Sequence, residues 1–110
     1  MVLPNADRAF IDLRKLRDYC LSADHPRGRH KARLFRAVLG LGEEDAGLLG
    51  QALFAGVRKV DATPMLADEH GMRYVVDMAL TFRDRTGRVR TAWIVRQGED
   101  FPRLLTCYVL

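Results

Sequence analysis

At Thr63-Pro64 the hydrophobic period of the chain changes, and no other feature limits its fold as strongly. Before that point apolar residues recur every three or four positions; after it they alternate. Asp12 is an N-cap type placed before Leu13, Leu16 and Cys20, which share one helical face with Tyr19 beside them. Ser22-Ala23-Asp24-His25-Pro26 interrupts the pattern, because Pro26 drives His25 out of helical geometry. A second helix is expected from Arg29 or His30, with Leu34, Phe35, Val38 and Leu39 on one face and Gly40 as its stop. Glu43-Glu44-Asp45 opens a third with acids at its N-terminus, and its stripe is Leu49, Leu53 and Val57.

Beyond Pro64, Tyr74, Val76, Met78, Leu80 and Phe82 alternate with Arg73, Asp77 and Thr81. A turn at Asp84-Arg85-Thr86-Gly87 leads to a strand that ends at Arg96, and a last strand runs from Arg103 to Leu110. With that four-residue loop, Phe82 pairs with Val89, Leu80 with Thr91 and Met78 with Trp93, which puts Arg90 opposite Thr81. A slip of one residue would turn one apolar set out of the core, which favours the first register. Leu105, Cys107 and Val109 are expected in the core together with Trp93, leaving Thr106 and Tyr108 on the Arg90 side. The fold class is therefore α+β: N-terminal helices, about residues 1–60, packed on a C-terminal antiparallel sheet of about three or four strands, about 61–110. No repeat or linker divides the chain, so a single domain over 1–110 is expected.

Composition narrows the class further. Hydrophobic residues make up 48% and charged residues 29% of the 110, values that exclude a disordered chain. No apolar run approaches the ~18 residues of a membrane-crossing helix. The start, Met1-Val2-Leu3-Pro4-Asn5, lacks the charged and apolar regions of a secretory signal, so a cytoplasmic protein with free thiols at Cys20 and Cys107 is expected. The net charge of +4 is unevenly spread: residues 1–60 hold 11 Lys+Arg against 7 Asp+Glu, whereas 61–110 balance at 7 and 7.

The surplus concentrates in His25-Pro26-Arg27-Gly28-Arg29-His30-Lys31-Ala32-Arg33, followed by Arg36, with no acid between Asp24 and Glu43. Cationic side chains and backbone N–H groups where a loop opens a helix both favour phosphate, and Gly28 would admit close approach by an anion. The competing reading is a solvated basic helix face. Imidazole exchanges protons near neutral pH, which draws attention to His25 and His30. Their i, i+5 spacing is wrong for two ligands on one helix face, so neither a metal site nor a cofactor is expected. Cys20 and Cys107 sit at core positions, where cysteine behaves as a small hydrophobe. Arg83, Arg85 and Arg88 read as solvated turn residues. Arg90 lies mid-strand, and either solvation on an open sheet face or a phosphoryl contact beside Thr106 and Tyr108 would account for it.

An ordered set of residues also resembles a known family. The set is Leu3-Pro4-Asn5-Ala6, His25-Pro26 with Gly28-Arg29-His30-Lys31-Ala32 and Phe35, Gly71-x-Arg73-Tyr74-x-Val76-Asp77, Val89 to Ile94, and Pro102-Arg103-Leu104-x-Thr106-x-Tyr108-Val109. It resembles a small bacterial domain family of uncharacterised function, found as short free-standing proteins and at the C-termini of polymorphic-toxin-like proteins. That family is in turn similar to the barnase–EndoU–colicin–RelE group of metal-independent ribonucleases. The resemblance implies His30 as general acid or base, Arg90 as a sheet-borne cation and Thr106 as a hydroxyl on the last strand, with Lys31 and Tyr108 as further candidates. Arg27, Gly28, Arg29 and Arg33 would bind RNA phosphate, and a cognate antitoxin or immunity protein would be a partner. The chemistry implied is 2′-hydroxyl attack on the adjacent phosphorus, giving a 2′,3′-cyclic phosphate. The alternative is a non-catalytic module that binds RNA or a protein through the same basic face.

Overall fold

Asp12 begins the first helix as its type requires, its carboxylate accepting the Arg14 backbone N–H at 3.0 Å. A computed structural model describes residues 1–110. Helix α1 covers Leu13–Lys15 and continues through Leu16–Cys20 in wider turns, closed by a 2.8 Å bond from the Leu21 N–H to the Leu16 carbonyl. Helix α2 covers Arg29–Leu34 and is extended in the same way by Phe35–Leu39. Gly40 ends it at φ +69°, a left-handed conformation that costs glycine nothing sterically. One tight turn, Glu43–Asp45, leads into α3 over Ala46–Val57. All three helices begin where the sequence signals place them.

Strands β1 (Thr63–Pro64), β2 (Gly71–Phe82), β3 (Arg85–Arg96) and β4 (Arg103–Val109) form one antiparallel sheet in the order β1-β2-β3-β4. The expected α+β arrangement is what the chain adopts. The helices cover one face of the sheet: Leu16, Phe35, Leu49, Leu53 and Val57 meet Val76, Val89, Trp93 and Cys107 in one buried cluster. The indole N–H of Trp93 donates to the Thr91 hydroxyl at 2.7 Å, and that hydroxyl donates to the Val76 carbonyl at 2.8 Å. No buried side-chain nitrogen or oxygen is left without a partner, so the core carries no desolvation penalty of that kind. No helix is long and apolar enough to cross a membrane.

The β2–β3 register differs from the sequence expectation by four residues. The loop is only Arg83-Asp84, so Phe82 faces Arg85, Met78 faces Val89, Val76 faces Thr91 and Tyr74 faces Trp93. A slip of four preserves the alternation of faces, so the same residues reach the core in either register. The observed one extends the ladder through Arg85-Thr86-Gly87 and sets Arg90 opposite Asp77 in place of Thr81. Arg85, expected as a solvated turn residue, donates to the carbonyls of Ala37 at 3.1 Å and Arg36 at 3.4 Å near the end of α2, where a cation suits the helix dipole.

In β4 the register shifts between Ala92 and Trp93: Ala92 faces Thr106, but Trp93 faces Leu104. Leu105 is the extra residue, and Leu104 takes the core place expected for it. Tyr74, also expected in the core, is half-buried at its margin. The two-residue β2–β3 loop holds Arg83 at φ +58°. A Cβ there costs ~1–2 kcal/mol, more than the ~0.5–1 kcal/mol lost to the freedom of a glycine, and glycine is the usual first residue of such a hairpin. Arg83→Gly is therefore expected to raise stability by about 0.5–1 kcal/mol, read as a higher urea midpoint with unchanged slope; a lower midpoint would contradict the turn geometry.

Candidate functional site

Antiparallel pairing decides which polar groups meet on the sheet face away from the core. Asp77, Arg90 and Tyr108 lie side by side on β2, β3 and β4, with Ala92 and Thr106 as the next pair along. Arg90 holds Asp77 bidentately, Nε to Oδ1 at 2.8 Å and Nη2 to Oδ2 at 2.9 Å. That bond pulls the Asp77 carboxyl below the usual carboxylate range against the effect of burial. The same bond, with nearby Tyr108 as a second influence, raises Arg90 further above its ordinary value. Arg90 is a cation whose charge is already compensated.

The helical layer reaches round the β4 edge to join this row. Lys31, half-buried on α2, donates to the Tyr19 hydroxyl at 3.1 Å; its Nζ lies 4.8 Å from the Tyr19 ring centre and 5.9 Å from that of Tyr108. Both rings face the ammonium closely enough for cation–π attraction, and no carboxylate pairs with it within 4.0 Å. Below them the Cys20 sulfur touches the Thr106 hydroxyl at 3.9 Å. Its neighbour Cys107 is the main influence lowering the Cys20 thiol, with Thr106 and Lys31 acting the same way and burial opposing them.

Tyr108 and Thr106 of the edge strand β4 thus connect Lys31 on one side with Arg90 of β3 on the other, joined by Tyr19 and Asp77, which sequence reasoning does not select. The only signal for Asp77 was its opposite charge to Arg90, readable once the strands are paired at an even slip. Tyr19 gave none, because its partner lies 12 residues away across a turn. His30 is exposed, and its Nδ1 lies 3.1 Å from Nη2 of Arg33. No hydrogen bond joins His30 to Arg90, Thr106 or Tyr108. Arg27, Arg29 and Arg33 are exposed on the loop and on α2.

The backbone donors of the basic loop are not free. His25 Nδ1 accepts the N–H groups of both Arg27 and Gly28 at 3.0 Å, and the His25 carbonyl accepts that of Arg29 at 2.9 Å. Two donors on Nδ1 fix the neutral ring as the Nε2–H tautomer, while the ring edge packs against Tyr19 at 4.7 Å. Gly28 is buried, and a Cβ built on it would lie 2.0 Å from the Tyr19 carbonyl oxygen. Its smallness is needed to seat the loop on α1, so loop and Tyr19 are placed together. The phosphate-binding capacity expected here accordingly rests with the arginine side chains, not with Gly28 or the loop backbone.

The comparisons with known proteins agree with this architecture. The family described as a domain of unknown function, DUF6883, matches residues 2–110. No curated protein matches the chain. Among solved structures, a chain of a contact-dependent growth inhibition toxin–immunity protein complex from Klebsiella pneumoniae 342 has the same fold, with a TM-score of 0.71 over 91% of this chain and 98% of that one. At 11% identity, the likeness is one of fold.

Two variants check this geometry. Gly28→Ala forces a methyl against the Tyr19 backbone and is expected to destabilise by about 1–3 kcal/mol, read by urea unfolding; an unchanged midpoint would mean that the loop is not seated on α1. Asp77 has a folded value below its unfolded one, so its contribution is present above the ordinary carboxylate range and is lost as pH falls through the lowered value. Asp77→Asn should lower the thermal midpoint at pH 7 and make the loss of stability below about pH 4 shallower. The limb stays visible, because Asp12, Asp18, Asp68, Glu99 and Asp100 are lowered too.

Proposed function

We propose, from the premise that the chain belongs to the DUF6883 family, that it is a toxin-like, metal-independent endoribonuclease neutralised by a cognate partner protein. One observation carries the reading: an uncompensated ammonium, Lys31, lies near two phenol rings at the β4 edge, one of them Tyr108 opposite Arg90, and is next in sequence to an exposed imidazole. Cleavage by an RNA 2′-hydroxyl needs a proton acceptor, a donor to the leaving 5′-oxygen, and positive charge on the phosphorane. Lys31 supplies that charge. His30 and the Tyr108 hydroxyl are the proton-transfer pair, and Arg90, tied to Asp77, stands directly opposite Tyr108. Thr106 lies one pair along the same face and offers a hydroxyl to a phosphate oxygen. The chemistry uses no metal, and DNA, which lacks the 2′-hydroxyl, is bound without being cut.

The shared fold with a chain of a toxin–immunity protein complex supports a toxin-related role and a cognate partner. The rival reading is a non-catalytic module that binds RNA or a protein. It is favoured by the bidentate capture of Arg90 by Asp77, which removes a free cation from the sheet.

The test is incubation of the purified protein with total RNA in EDTA. Cleavage to ends bearing 2′,3′-cyclic phosphate is expected, with His30→Ala, Lys31→Ala and Tyr108→Phe each losing about 10²–10⁴-fold in rate while remaining folded by circular dichroism. Intact RNA with retained RNA affinity would replace the enzyme by the binding module.

A further inference from the structure

On the other flank of α2 from Lys31, the helix forms one wall of an open groove of about 630 Å³, a volume in the range of small-ligand sites. Its apolar lining is Leu21 and Ala32, which are buried, with exposed Ala23 and Ala37. Arg29, Arg33 and Arg36 line it, and their i, i+4, i+7 spacing makes one stripe along the helix. The charge along that stripe is polarised. Arg29 and Arg33 have no carboxylate partner, whereas Arg36 is paired with Glu44 at 3.8 Å. Glu43, beside Glu44 on the turn after α2, lines the same groove and has no cationic partner. One end therefore carries two guanidinium groups without a carboxylate partner, the lining between is apolar, and the other end carries an unpaired carboxylate.

A nucleotide has this order of chemistry: an anionic phosphate, then a base with an apolar face, then an edge that in cytosine or adenine carries an amino donor. A phosphate fits the Arg29–Arg33 end, because Glu43 repels it from the other. A carboxylate accepts from an exocyclic amino group and repels the carbonyl acceptors of uracil. We propose that this groove is a nucleotide subsite for single-stranded RNA, in which Arg29 and Arg33 hold the phosphate and Glu43 selects an amino-bearing base. An acidic protein segment would match the arginines but would be repelled by Glu43, whose carboxylate is unpaired.

This proposal rests on the RNA reading above and adds a direction to it. Lys31 is about 200° round the helix from both Arg29 and Arg33, and His30 lies between them at the exposed crest. A strand crossing α2 places its scissile phosphate by His30 and Lys31 and a neighbouring nucleotide in the groove, across a helix ~10–12 Å wide. Arg33 is within 3.1 Å of His30 and links the two.

The experiment measures binding without cleavage, so that its failure is separate from failure of the ribonuclease reading. Fluorescein-labelled 2′-O-methyl pentanucleotides of C, A and U, which cannot undergo 2′-hydroxyl attack, are titrated by anisotropy at several salt concentrations. Wild-type protein is expected to prefer C and A over U by roughly tenfold. Arg29→Gln with Arg33→Gln weakens all three and reduces the slope of log affinity against log salt by about 0.7 for each phosphate no longer neutralised. Glu43→Gln abolishes the base preference and leaves affinity for U equal or higher. These results with intact total RNA in the cleavage assay would support the subsite while removing the enzyme. Oligonucleotide binding indifferent to all three substitutions, in variants with a wild-type urea midpoint, would overturn the proposal. So would capture of an oligoglutamate peptide through Arg29 and Arg33 with no binding of the oligonucleotides.

Discussion

The Asp77–Arg90 pair settles a choice that hydrophobicity leaves open. Two registers of the β2–β3 hairpin, four residues apart, bury the same alternating set, because an even slip keeps every side chain on its face. In the alternative, Asp77 would face Ile94 and Arg90 would face Thr81. In the observed register the two charges meet bidentately, Thr81 and Thr86 join hydroxyls at 2.9 Å, and the loop shrinks to two residues. Opposite charges and hydroxyl pairs directly across a ladder are stabilising, and each added ladder pair satisfies backbone groups. The cost is local: Arg83 takes a left-handed backbone. The separate β3–β4 pairing stands Tyr108 of β4 on the other side of Arg90 and completes the row on the open face.

The same pair changes what Arg90 can do. A mid-strand arginine on an otherwise neutral sheet invites reading as a free anion site, but its two best donors are occupied. Lys31 has no such partner. Its ammonium lies near two phenol rings at the β4 edge and is oriented by the Tyr19 hydroxyl. A positioned cation without a carboxylate partner is of more use to a phosphorane than a compensated one. The electrostatic weight of the candidate site therefore lies on the helix, in the half of the chain that holds the whole +4 surplus, and the sheet supplies orientation.

Much of the fold was legible because it rests on periodicity and local chemistry. Asp12 as a cap, Gly40 as a stop, the acids before α3 and the alternation of β2 and β3 are each decided by neighbours a few residues away. The misses share a different cause. Hairpin register depended on a pairing 13 residues apart, and the exchange of Leu105 for Leu104 depended on a bulge with no glycine or proline to announce it. For the site, Lys31, Arg90, Thr106 and Tyr108 were selected by type and place, whereas Tyr19 and Asp77 acquired meaning only through contacts across elements. The sequence shows the permissiveness of Gly28, but what the fold uses is its smallness against the Tyr19 carbonyl.

That close approach also explains how one short segment serves two ends. Gly28 seats the loop on α1, His25 absorbs the N–H groups of Arg27 and Gly28 through Nδ1, and the His25 ring packs against Tyr19. The histidine thereby does the capping that an Asp or Asn would do elsewhere, without adding a negative charge beside Lys31. An acidic cap at this position would draw the ammonium away from Tyr19 and cancel the local surplus. With the loop closed on itself by a neutral ring, α2 starts in a fixed orientation. Its N-terminal turn then divides its cations: Lys31 toward the β4 edge, Arg29 and Arg33 toward the groove, and His30 outward between them. The separation follows from helical geometry alone, at about 100° per residue, so any reorientation of the first turn would move all of these groups at once.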